Sequence, residues 1–248
     1  QIDSVTASAN NLTAVNTPVS TTGKVVDTTI ATIESSLVSW WDLNETSGTR
    51  ADAVTASGND LTDNNTVGYA LGKVQDSAVD AENVASFIEG NSEYLSTADT
   101  SFDKGNESFS YGGWFNFPTG GTFVYLMSKV NASNTSYMLY ANSSNQLISR
   151  LSSDGTATTD VTTGAITPGT WFFAIAVYDS VNDLQKVSLN GGAFVTAANS
   201  TGAYASSTAD LTWSAINIST APLYDTTQAD VNCFYNSALT LAEINALY

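Results

Sequence analysis

The sequence predicts an all-β protein, an antiparallel sandwich of two sheets with one short C-terminal helix. Three observations support this fold class. Short runs rich in aromatic and β-branched residues recur along the chain, and Gly, Asn, Asp and Ser separate them, which is typical of strands joined by turns. Hydrophobic residues make up 42% of the 248 residues and charged residues only 12%. A helical pattern is confined to the C-terminus, so we expect one large β domain.

The beginning of the chain differs in composition from the rest. Residues 1–36 are rich in Ser, Thr and Val, contain no Trp, Tyr or Phe, and include one stretch, KVVDTTIATI, that could form a strand. Because a segment without aromatic residues cannot build a core of its own, we expect an arm that docks on the main domain or on a neighbouring subunit. Residues 37–248 are expected to form the sandwich.

The stretch LVSWWDL, which begins at Leu37, predicts the first strand. Neighbouring side chains of a strand point to opposite faces of the sheet, so Trp40 and Trp41 cannot enter the same layer. We expect one ring to enter the sandwich and the other to be covered by the arm or by the terminal helix.

Ten further stretches predict strands. In chain order they are VASFIE, EYLST, SFSYGGWFNF, FVYLMSKV, SYMLYA, QLISRL, WFFAIAVYD, LQKVSLN, LTWSAINI and ADVNCFYN. The pair Asn190-Gly191, which follows KVSL, predicts a tight type I′ turn because both residues accept a positive φ. We therefore expect antiparallel neighbours around this turn.

The final stretch, LTLAEINALY, predicts the helix. Thr240 and Glu243 have the spacing of a capping box, in which each side chain bonds the backbone N–H of the other. Leu241, Ile244 and Leu247 form an apolar stripe at helical spacing.

Two aromatic stretches predict where large rings are placed. In SFSYGGWFNF, four rings fall on one face and Trp114 falls on the other; the four are Phe109, Tyr111, Phe115 and Phe117. WFFAIAVYD is apolar on both faces, which indicates a central strand whose second face is covered by loops or lines a groove. Burial of large rings favours the core. The alternative is that Trp114, Tyr178 or Trp213 is exposed and forms a platform on which a sugar ligand stacks.

The charge composition excludes several functions. Seven Lys and Arg against 24 Asp and Glu give a net charge of -17, so nucleic acid would be repelled. No apolar segment has the roughly 18 residues of a membrane span. His is absent and Cys233 is the single cysteine, which excludes a zinc site and an internal disulfide. The acidic surplus reflects either solubility or a saline habitat, or acids that hold a hard cation such as calcium.

Together these stretches resemble, in order, the LamG-like jelly-roll family of concanavalin A-like domains. The resemblance covers about residues 37–248 and rests on LVSWWDLNETSG, ADAVTASGND, FIEGNSEYLS, SFSYGGWFNF, PGTWFFAIAVYD, VSLNGG and ADVNCFYNSALTLAEINALY. It departs from the family at Ser188, where an aromatic residue is usual, and at Asn232 and Cys233, which replace charged and apolar residues. The resemblance implies a jelly-roll sandwich in which the first and last strands are adjacent.

The resemblance also implies a structural calcium ion, since many relatives bind one near the terminal strands. Asp42 and Asp230 match the acidic positions of those strands, and Asn91 lies in the loop that often completes the shell. Calcium prefers six to eight oxygen ligands, which carboxylates and loop carbonyls could supply. The alternative is that Asp42 and Asp230 cap turns or bond to backbone amides.

The acidic residues do not predict a catalytic site. Glycosidases of this architecture place two carboxylates on alternate residues of one strand, about 5–5.5 Å apart. The acids closest to that pattern lie before, after or at the ends of predicted strands; they are Asp80, Glu82, Glu89, Glu93 and Asp179. Without His, a Ser-His-Asp triad is excluded. We expect no enzyme, with a glycoside hydrolase as the remote alternative.

Two non-catalytic classes remain. The first is a structural or assembly module on the surface of a virus particle, of the capsid-decoration, fibre or spike type, which contacts neighbouring subunits through its arm, carries some capacity for ligand binding and could form a homo-oligomer. The second is a secreted or cell-surface adhesion module that binds glycans or proteins. The same fold serves both classes, so the resemblance does not separate them.

Overall fold

The computed structural model describes residues 34–54, 56–72, 83–97, 100–131, 134–205, 208–218 and 221–248. The predicted arm therefore lies almost entirely outside the described residues. Seventeen strands are present: β1 Leu37–Trp41, β2 Thr62–Asn64, β3 Gly68–Leu71, β4 Asn83–Ser86, β5 Tyr94–Thr97, β6 Phe109–Asn116, β7 Val124–Asn131, β8 Asn134–Ala141, β9 Gln146–Ser152, β10 Thr158–Ala165, β11 Phe172–Asp179, β12 Leu184–Leu189, β13 Val195–Ala198, β14 Leu211–Trp213, β15 Ala215–Ile218, β16 Ala221–Tyr224 and β17 Gln228–Tyr235.

The strands form two antiparallel sheets, as the sequence predicts. The first sheet has the order β13-β12-β11-β6-β17-β4-β3, and β1 also pairs with β17. The second sheet has the order β10-β9-β8-β7-β14-β5-β2, and β15 and β16 form a separate hairpin. One α-helix, α1 Leu241–Leu247, follows the last strand. Residues 34–36 are also helical, and two short 3-10 turns span Glu89–Asn91 and Thr100–Phe102.

β1 pairs with β17, so the first and last strands of the sandwich are adjacent, as the resemblance implies. Trp40 lies opposite Cys233, and Trp41 lies opposite Asn232. Two glycines in β6 are required where β6 passes between β11 and β17. A Cβ atom at Gly112 would lie 2.0 Å from the carbonyl oxygen of Ala174. The φ angle of Gly112 is 144°, which L side chains rarely adopt.

The inner core lies between the two sheets and contains most of the large rings. The predicted alternation in β6 is confirmed: Phe109, Tyr111, Phe115 and Phe117 all belong to this core, and Trp114 does not. Trp41 is fully buried here and packs edge-on against Trp213, with ring centroids 4.9 Å apart. One of the two adjacent indoles therefore enters the sandwich, as predicted.

A second apolar cluster covers the outer side of the first sheet, which we call the closed face. Its buried members are Trp40, Trp114, Phe173, Ile175, Val177, Val231, Cys233, Tyr235, Leu239 and Ile244. Trp40 and the helix residue Ile244 are buried in the same cluster. Cover by the terminal helix is one of the two outcomes that the sequence analysis expects for the second indole. The predicted capping box is present, because Thr240 and Glu243 bond each other's backbone N–H groups. The apolar second face of β11 is covered by this cluster.

One predicted turn is confirmed, and one predicted strand is interrupted by a turn. The Asn190-Gly191 turn has φ angles of 52° and 66°, as a type I′ turn requires. The stretch LTWSAINI, predicted as one strand, is instead two strands that break at Ser214, whose φ is 59°. The break lets the chain leave the second sheet after β14 and start the separate hairpin. The sequence analysis also missed five of the described strands; these are β2, β3, β10, β13 and β16.

Candidate functional site

The three rings proposed from the sequence as a sugar platform are all buried. Trp114 is 3% exposed on the closed face, and Tyr178 and Trp213 are fully buried in the inner core. The Trp213 Nε1 donates a hydrogen bond of 2.6 Å to the Asn232 Oδ1. No face of these rings is left for a ligand. They pack the cores and do not form the predicted platform, because burial of a large ring outweighs its use at the surface.

The proposed calcium residues are only partly brought together. The backbone N–H of Val231 donates to the carbonyl oxygen of Asp42 at 3.4 Å, so Asp42 and Asp230 lie at neighbouring places on the terminal strands. Asp42 also accepts a hydrogen bond of 2.8 Å from the Trp40 indole. Asn91 lies in the 3-10 turn after β4, where its amide donates to Glu93 at 2.7 Å.

These residues alone do not make a calcium shell. Among the described residues, no group of three or more His, Cys, Asp or Glu side chains is placed to hold a metal ion. Asp42 and Asp230 would supply two carboxylates, of which one is already used by Trp40, and calcium prefers six to eight oxygens. Backbone carbonyls would have to provide the rest, so the calcium ion stays a prediction.

The outer side of the second sheet, which we call the open face, is only partly covered. Its apolar residues Val130, Met138, Tyr140, Ile148 and Ile216 form a third, smaller cluster. Ile216 belongs to the β15–β16 hairpin, which lies over β7 and is attached to it by a hydrogen bond of 2.8 Å from the Ser128 hydroxyl to the Ala215 carbonyl. The hairpin therefore covers the middle of this face and forms the wall of a cleft beside it.

The cleft has a volume of about 300 Å³. It lies where β5, β14, β7 and the hairpin meet, and its lining residues are Tyr94, Val130, Asn131, Thr208, Ala209, Asp210, Thr212, Ala215 and Asn217. The floor is closed, because Thr212 and Ala215 are buried and the Thr212 hydroxyl bonds with Ser128 at 2.9 Å. The rim is polar and exposed. This volume is at the lower end of the range found for small-ligand sites.

The rim combines one aromatic ring with several polar groups. Tyr94 is half-buried and packs against Tyr224 with ring centroids 5.6 Å apart. Burial, with the nearby Tyr224 and Asp210, raises the pKa of the Tyr94 hydroxyl, which therefore remains a hydrogen-bond donor at neutral pH. Asp210 and Asn217 are exposed, and within the described part of the chain neither side chain forms a hydrogen bond.

The opposite rim is fixed by the protein itself. The Asn131 amide donates a hydrogen bond of 2.8 Å to the Thr208 hydroxyl. Behind it, Lys129 is 1% exposed, donates a 2.6 Å bond to the Ala209 carbonyl and lies 3.1 Å from an Asp103 carboxylate oxygen. These bonds hold the segment around Ala209 against β7. The cleft is thus a polar pocket beside one aromatic ring.

A second feature of the open face is a strip of rings away from the cleft. Phe123 is 53% exposed and stacks on Tyr140, with centroids 6.1 Å apart. The Arg150 guanidinium lies 5.3 Å from the Tyr140 ring and is held by Asp160 through two hydrogen bonds of 2.6 Å. Burial raises the pKa of Tyr140 to about 12. Asp160 accepts two of the five N–H donors of Arg150 and pairs with its charge. The exposed part of this strip is mainly the Phe123 ring.

One carboxylate near the base of the hairpin has unusual electrostatics. Asp225 follows β16 and accepts a hydrogen bond of 2.6 Å from the backbone N–H of Tyr125 in β7. Burial, opposed by this hydrogen bond and reinforced by Glu89, raises the pKa of Asp225 to about 7. The hairpin that forms the wall of the cleft is therefore attached through a group that titrates near neutral pH.

This cleft could hardly be recognised from the amino-acid sequence. Tyr94 lies in the predicted strand EYLST, where alternation alone places it opposite the buried Leu95. Asp210 precedes a short strand, and Asn217 follows the break at Ser214 that the sequence analysis did not predict. A polar triplet of this kind is recognisable only when the fold has brought the segments together.

Among the described helices, none has both the length and the apolar composition that a membrane span requires.

Comparison of the structure with solved proteins shows where the same fold occurs. The binding domain of Paraclostridial Mosquitocidal Protein 1 aligns with a TM-score of 0.66 at 12% identity over 87% of this chain and 52% of that one. A structure of botulinum neurotoxin type C, whose cell entry depends on two ganglioside molecules, aligns with a TM-score of 0.61 at 12% identity over 88% and 53%. This chain thus spans about half the length of these toxin structures.

A third similar structure is a single domain. Domain 4 of AbnA, an extracellular arabinanase of Geobacillus stearothermophilus, was solved with arabinotriose and aligns with a TM-score of 0.57 at 18% identity. The alignment covers 86% of this chain and 98% of that domain. Identities this low establish a common fold and nothing further. No curated protein sequence matches the chain significantly.

A family model decides the classification. Residues 89–245, more than half of the chain, match the model described as the concanavalin A-like lectin/glucanases superfamily. The matched part contains most of both sheets and nearly all of the terminal helix. This chain therefore belongs to the concanavalin A-like lectin/glucanases superfamily.

Proposed function

We propose that the protein is a non-catalytic binding module that holds a carbohydrate in the cleft of the open face. The observation that carries this proposal is the combination in one pocket of the half-buried Tyr94 ring with the unbonded polar side chains of Asp210 and Asn217. A flat ring stacks on the apolar face of a sugar, and carboxylate and amide groups bond its hydroxyls. The cleft offers both kinds of contact side by side.

The relatives of known structure support a carbohydrate as the ligand. The similar arabinanase domain was solved with arabinotriose, an uncharged oligosaccharide. Our proposal places the sugar of this chain in its own cleft and carries over no residue from these proteins. The described lining contains a single carboxylate, Asp210, whereas glycoside hydrolysis usually requires two that face one sugar. This supports a module that binds a glycan without cleaving it.

The test is glycan binding by the full chain, measured on a glycan array and then by calorimetric titration with the best hit. Tyr94→Ala and Asp210→Ala are each expected to weaken binding at least tenfold, because one removes the stacking ring and the other a hydroxyl acceptor. Phe123→Ala serves as the control, since it removes a ring, 53% exposed, from the same face outside the cleft. Melting curves must show that all variants remain folded.

Two outcomes would overturn the proposal. If Phe123→Ala abolishes binding while Tyr94→Ala does not, the sugar binds on the ring strip and the cleft is not the site. If incubation with the bound glycan releases reducing sugar, the protein is an enzyme and the non-catalytic assignment is wrong.

We further propose that the module is displayed on a virus particle or, alternatively, on a cell surface or in the medium. The support is the composition of residues 1–36, which suits an arm that docks on neighbouring subunits. Fractionation of the native source into particles, membranes and medium, followed by detection of the chain by mass spectrometry, tests this. Recovery only in the medium, as a monomer, would contradict an assembly role.

A further inference from the structure

We infer that the cleft selects neutral glycans and rejects glycans that carry sialic acid or sulfate. This inference rests on the proposed sugar site and names the class of ligand that the site takes. The first argument is the charge of the cleft itself. Asp210 is the only charged side chain of the described lining, and it is exposed at the rim. A carboxylate or sulfate on the ligand would therefore meet a like charge.

The second argument is that each described cation already contacts an acceptor of the protein. Proteins that bind anionic groups usually offer Arg or Lys donors that are free to pair with them. Five of the seven Lys and Arg residues lie in the described part of the chain, and each contacts a protein acceptor: Arg50 the Val67 carbonyl, Lys104 Asn236, Lys129 Asp103, Arg150 Asp160, and Lys186 Asp179. Lys24 and Lys73 lie outside the described residues.

Lys129 is a described cation that bonds a lining residue of the cleft, and its burial keeps it from the ligand. Its ammonium group bonds the carbonyl of Ala209, a lining residue, from the buried side of the wall. Asp103 neutralises it at 3.1 Å. Only 1% of Lys129 is exposed, so a ligand in the cleft cannot reach this ammonium without breaking the wall.

The remaining groups of the cleft suit uncharged hydroxyls. Asp210 is an acceptor, the Tyr94 hydroxyl is a donor, and Asn217 offers one donor and one acceptor group. Sugar hydroxyls both donate and accept, so each of these groups can be satisfied by a neutral sugar. The net charge of -17 also disfavours anionic glycans, because it lowers their concentration near the protein surface.

The experiment compares matched ligands with the full chain. Wild type is screened against neutral oligosaccharides and their sialylated or sulfated counterparts, and the best neutral ligand is then titrated against its own charged derivative at low and at about 0.15 M salt. We expect the neutral glycan to bind at least tenfold more tightly. The difference in affinity is expected to be smaller at the higher salt, because screening weakens the repulsion between the charged glycan and the acidic protein.

Two variants separate the local charge from the net charge. Asp210→Asn keeps the shape of the rim and removes the carboxylate. It should therefore reduce the ratio of the dissociation constants of the charged and the neutral ligand severalfold. Asp183→Asn removes one charge from the exposed turn between β11 and β12 of the first sheet, where Asn tolerates the φ of 54°, and should leave this ratio nearly unchanged. Equal effects of the two variants would show that net charge alone decides, and would overturn the role of Asp210.

The outcomes distinguish this inference from the proposed function. If the charged glycan binds as tightly as the neutral one and Tyr94→Ala still abolishes binding, the cleft is a sugar site and the neutral class is wrong. If no glycan binds, or if Tyr94→Ala changes nothing, the proposed function itself fails.

Discussion

The two outer faces of the sandwich belong to different sheets, and one face is covered by protein while the other is largely open. On the closed face, large apolar side chains of β6, β11 and β17 are covered by the segment around Leu239 and by α1. On the open face, a two-stranded hairpin covers only part of a smaller apolar cluster and leaves the cleft beside it. A sheet face therefore stays open where the chain does not supply enough apolar cover to close it.

The reason lies in which residues occupy the outward positions. In β11 the outward residues Phe173, Ile175 and Val177 are all apolar, so exposing them would be costly and a cover is favoured. In the cleft region the outward residues are Tyr94, Asp210 and Thr212, which tolerate water. The outward residues of the closed face therefore contribute to stability, and those of the open face present hydrogen-bonding groups to water.

The sharpest test compares one ring from each face. Trp114→Ala on the closed face is expected to lower the free energy of unfolding by about 3–5 kcal/mol, because the buried indole leaves a cavity between Phe173 and Tyr248. Phe123→Ala on the open face is expected to cost less than about 1 kcal/mol, since that ring is 53% exposed. Urea unfolding measures both values. Equal losses would show that the two faces do not differ in packing.

Calcium, if bound beside the closed face, should stabilise the junction of β1 and β17. Calcium at a hundredfold excess over its dissociation constant would add about 2.7 kcal/mol, and EDTA would remove it. Melting curves with and without EDTA, together with elemental analysis, measure this. Asp230→Asn should abolish the difference. An unchanged melting curve in excess chelator, with no metal detected, would leave Asp42 and Asp230 as residues that only bond within the protein.

The base of the hairpin on the open face should make stability depend on pH. The pKa of Asp225 in the folded protein is about 7, above the value of about 3.9 expected when the chain is unfolded. The folded state therefore binds the proton more tightly, and this contribution to stability is complete below about pH 4 and is lost as pH rises through 7. Burial of a charged group on the open face would then destabilise the hairpin at alkaline pH.

Asp225→Asn tests this electrostatic argument. The amide oxygen can still accept from Tyr125, and the variant carries no charge at any pH. We expect it to gain about 1–2 kcal/mol relative to wild type between pH 5 and pH 8.5, less than the full shift in pKa would imply because the group is partly exposed. Chemical denaturation at the two pH values provides the measurement. A constant difference between the variants would show that Asp225 ionises normally in the folded protein.

Removal of the helix cap should loosen the cover of the closed face only slightly. Thr240→Ala deletes the hydroxyl that accepts from the backbone N–H of Glu243, and such caps contribute about 1 kcal/mol. Hydrogen exchange should show faster exchange in α1, with the strands of the second sheet unaffected. Thr240→Ser, which keeps the capping oxygen, is the control. Faster exchange in both sheets would mean that α1 is not an independent cover.

The smallest effect is expected from the exposed ion pair of the open face. Asp160→Asn breaks the pair with Arg150, whose side chains are 29% and 32% exposed, and should cost no more than about 0.5–1 kcal/mol. The loss should diminish further at 1 M salt. A loss of several kcal/mol would show that this strip is as firmly packed as the closed face.

Much of the fold could be predicted because it depends on local pattern. Alternation in SFSYGGWFNF and WFFAIAVYD correctly assigned each ring to a face, and the Asn190-Gly191 turn and the Thr240–Glu243 box were correct to the residue. The weak strands β10 and β13 were missed because their side chains are mostly exposed and carry little apolar signal. The break at Ser214 was missed because Ser is not a usual residue for a positive φ.

The candidate site could not be predicted in the same way. From alternation alone, Trp114 and Tyr178 were as good candidates for a sugar platform as Tyr94, and the distinction depends on what covers each face. The cover comes from segments far away in sequence: α1 for Trp114, the second sheet for Tyr178, and only part of a hairpin near Tyr94.

The sequence by itself determined which side of each strand is apolar, because side-chain alternation is a property of the extended backbone. The tertiary structure alone decided which of the two outer faces is closed, because that depends on where α1 and the β15–β16 hairpin pack. Alternation assigns a side chain to a face, and long-range packing decides whether that face meets protein or water. The position of the cleft therefore follows from the second of these and could not be obtained from the first.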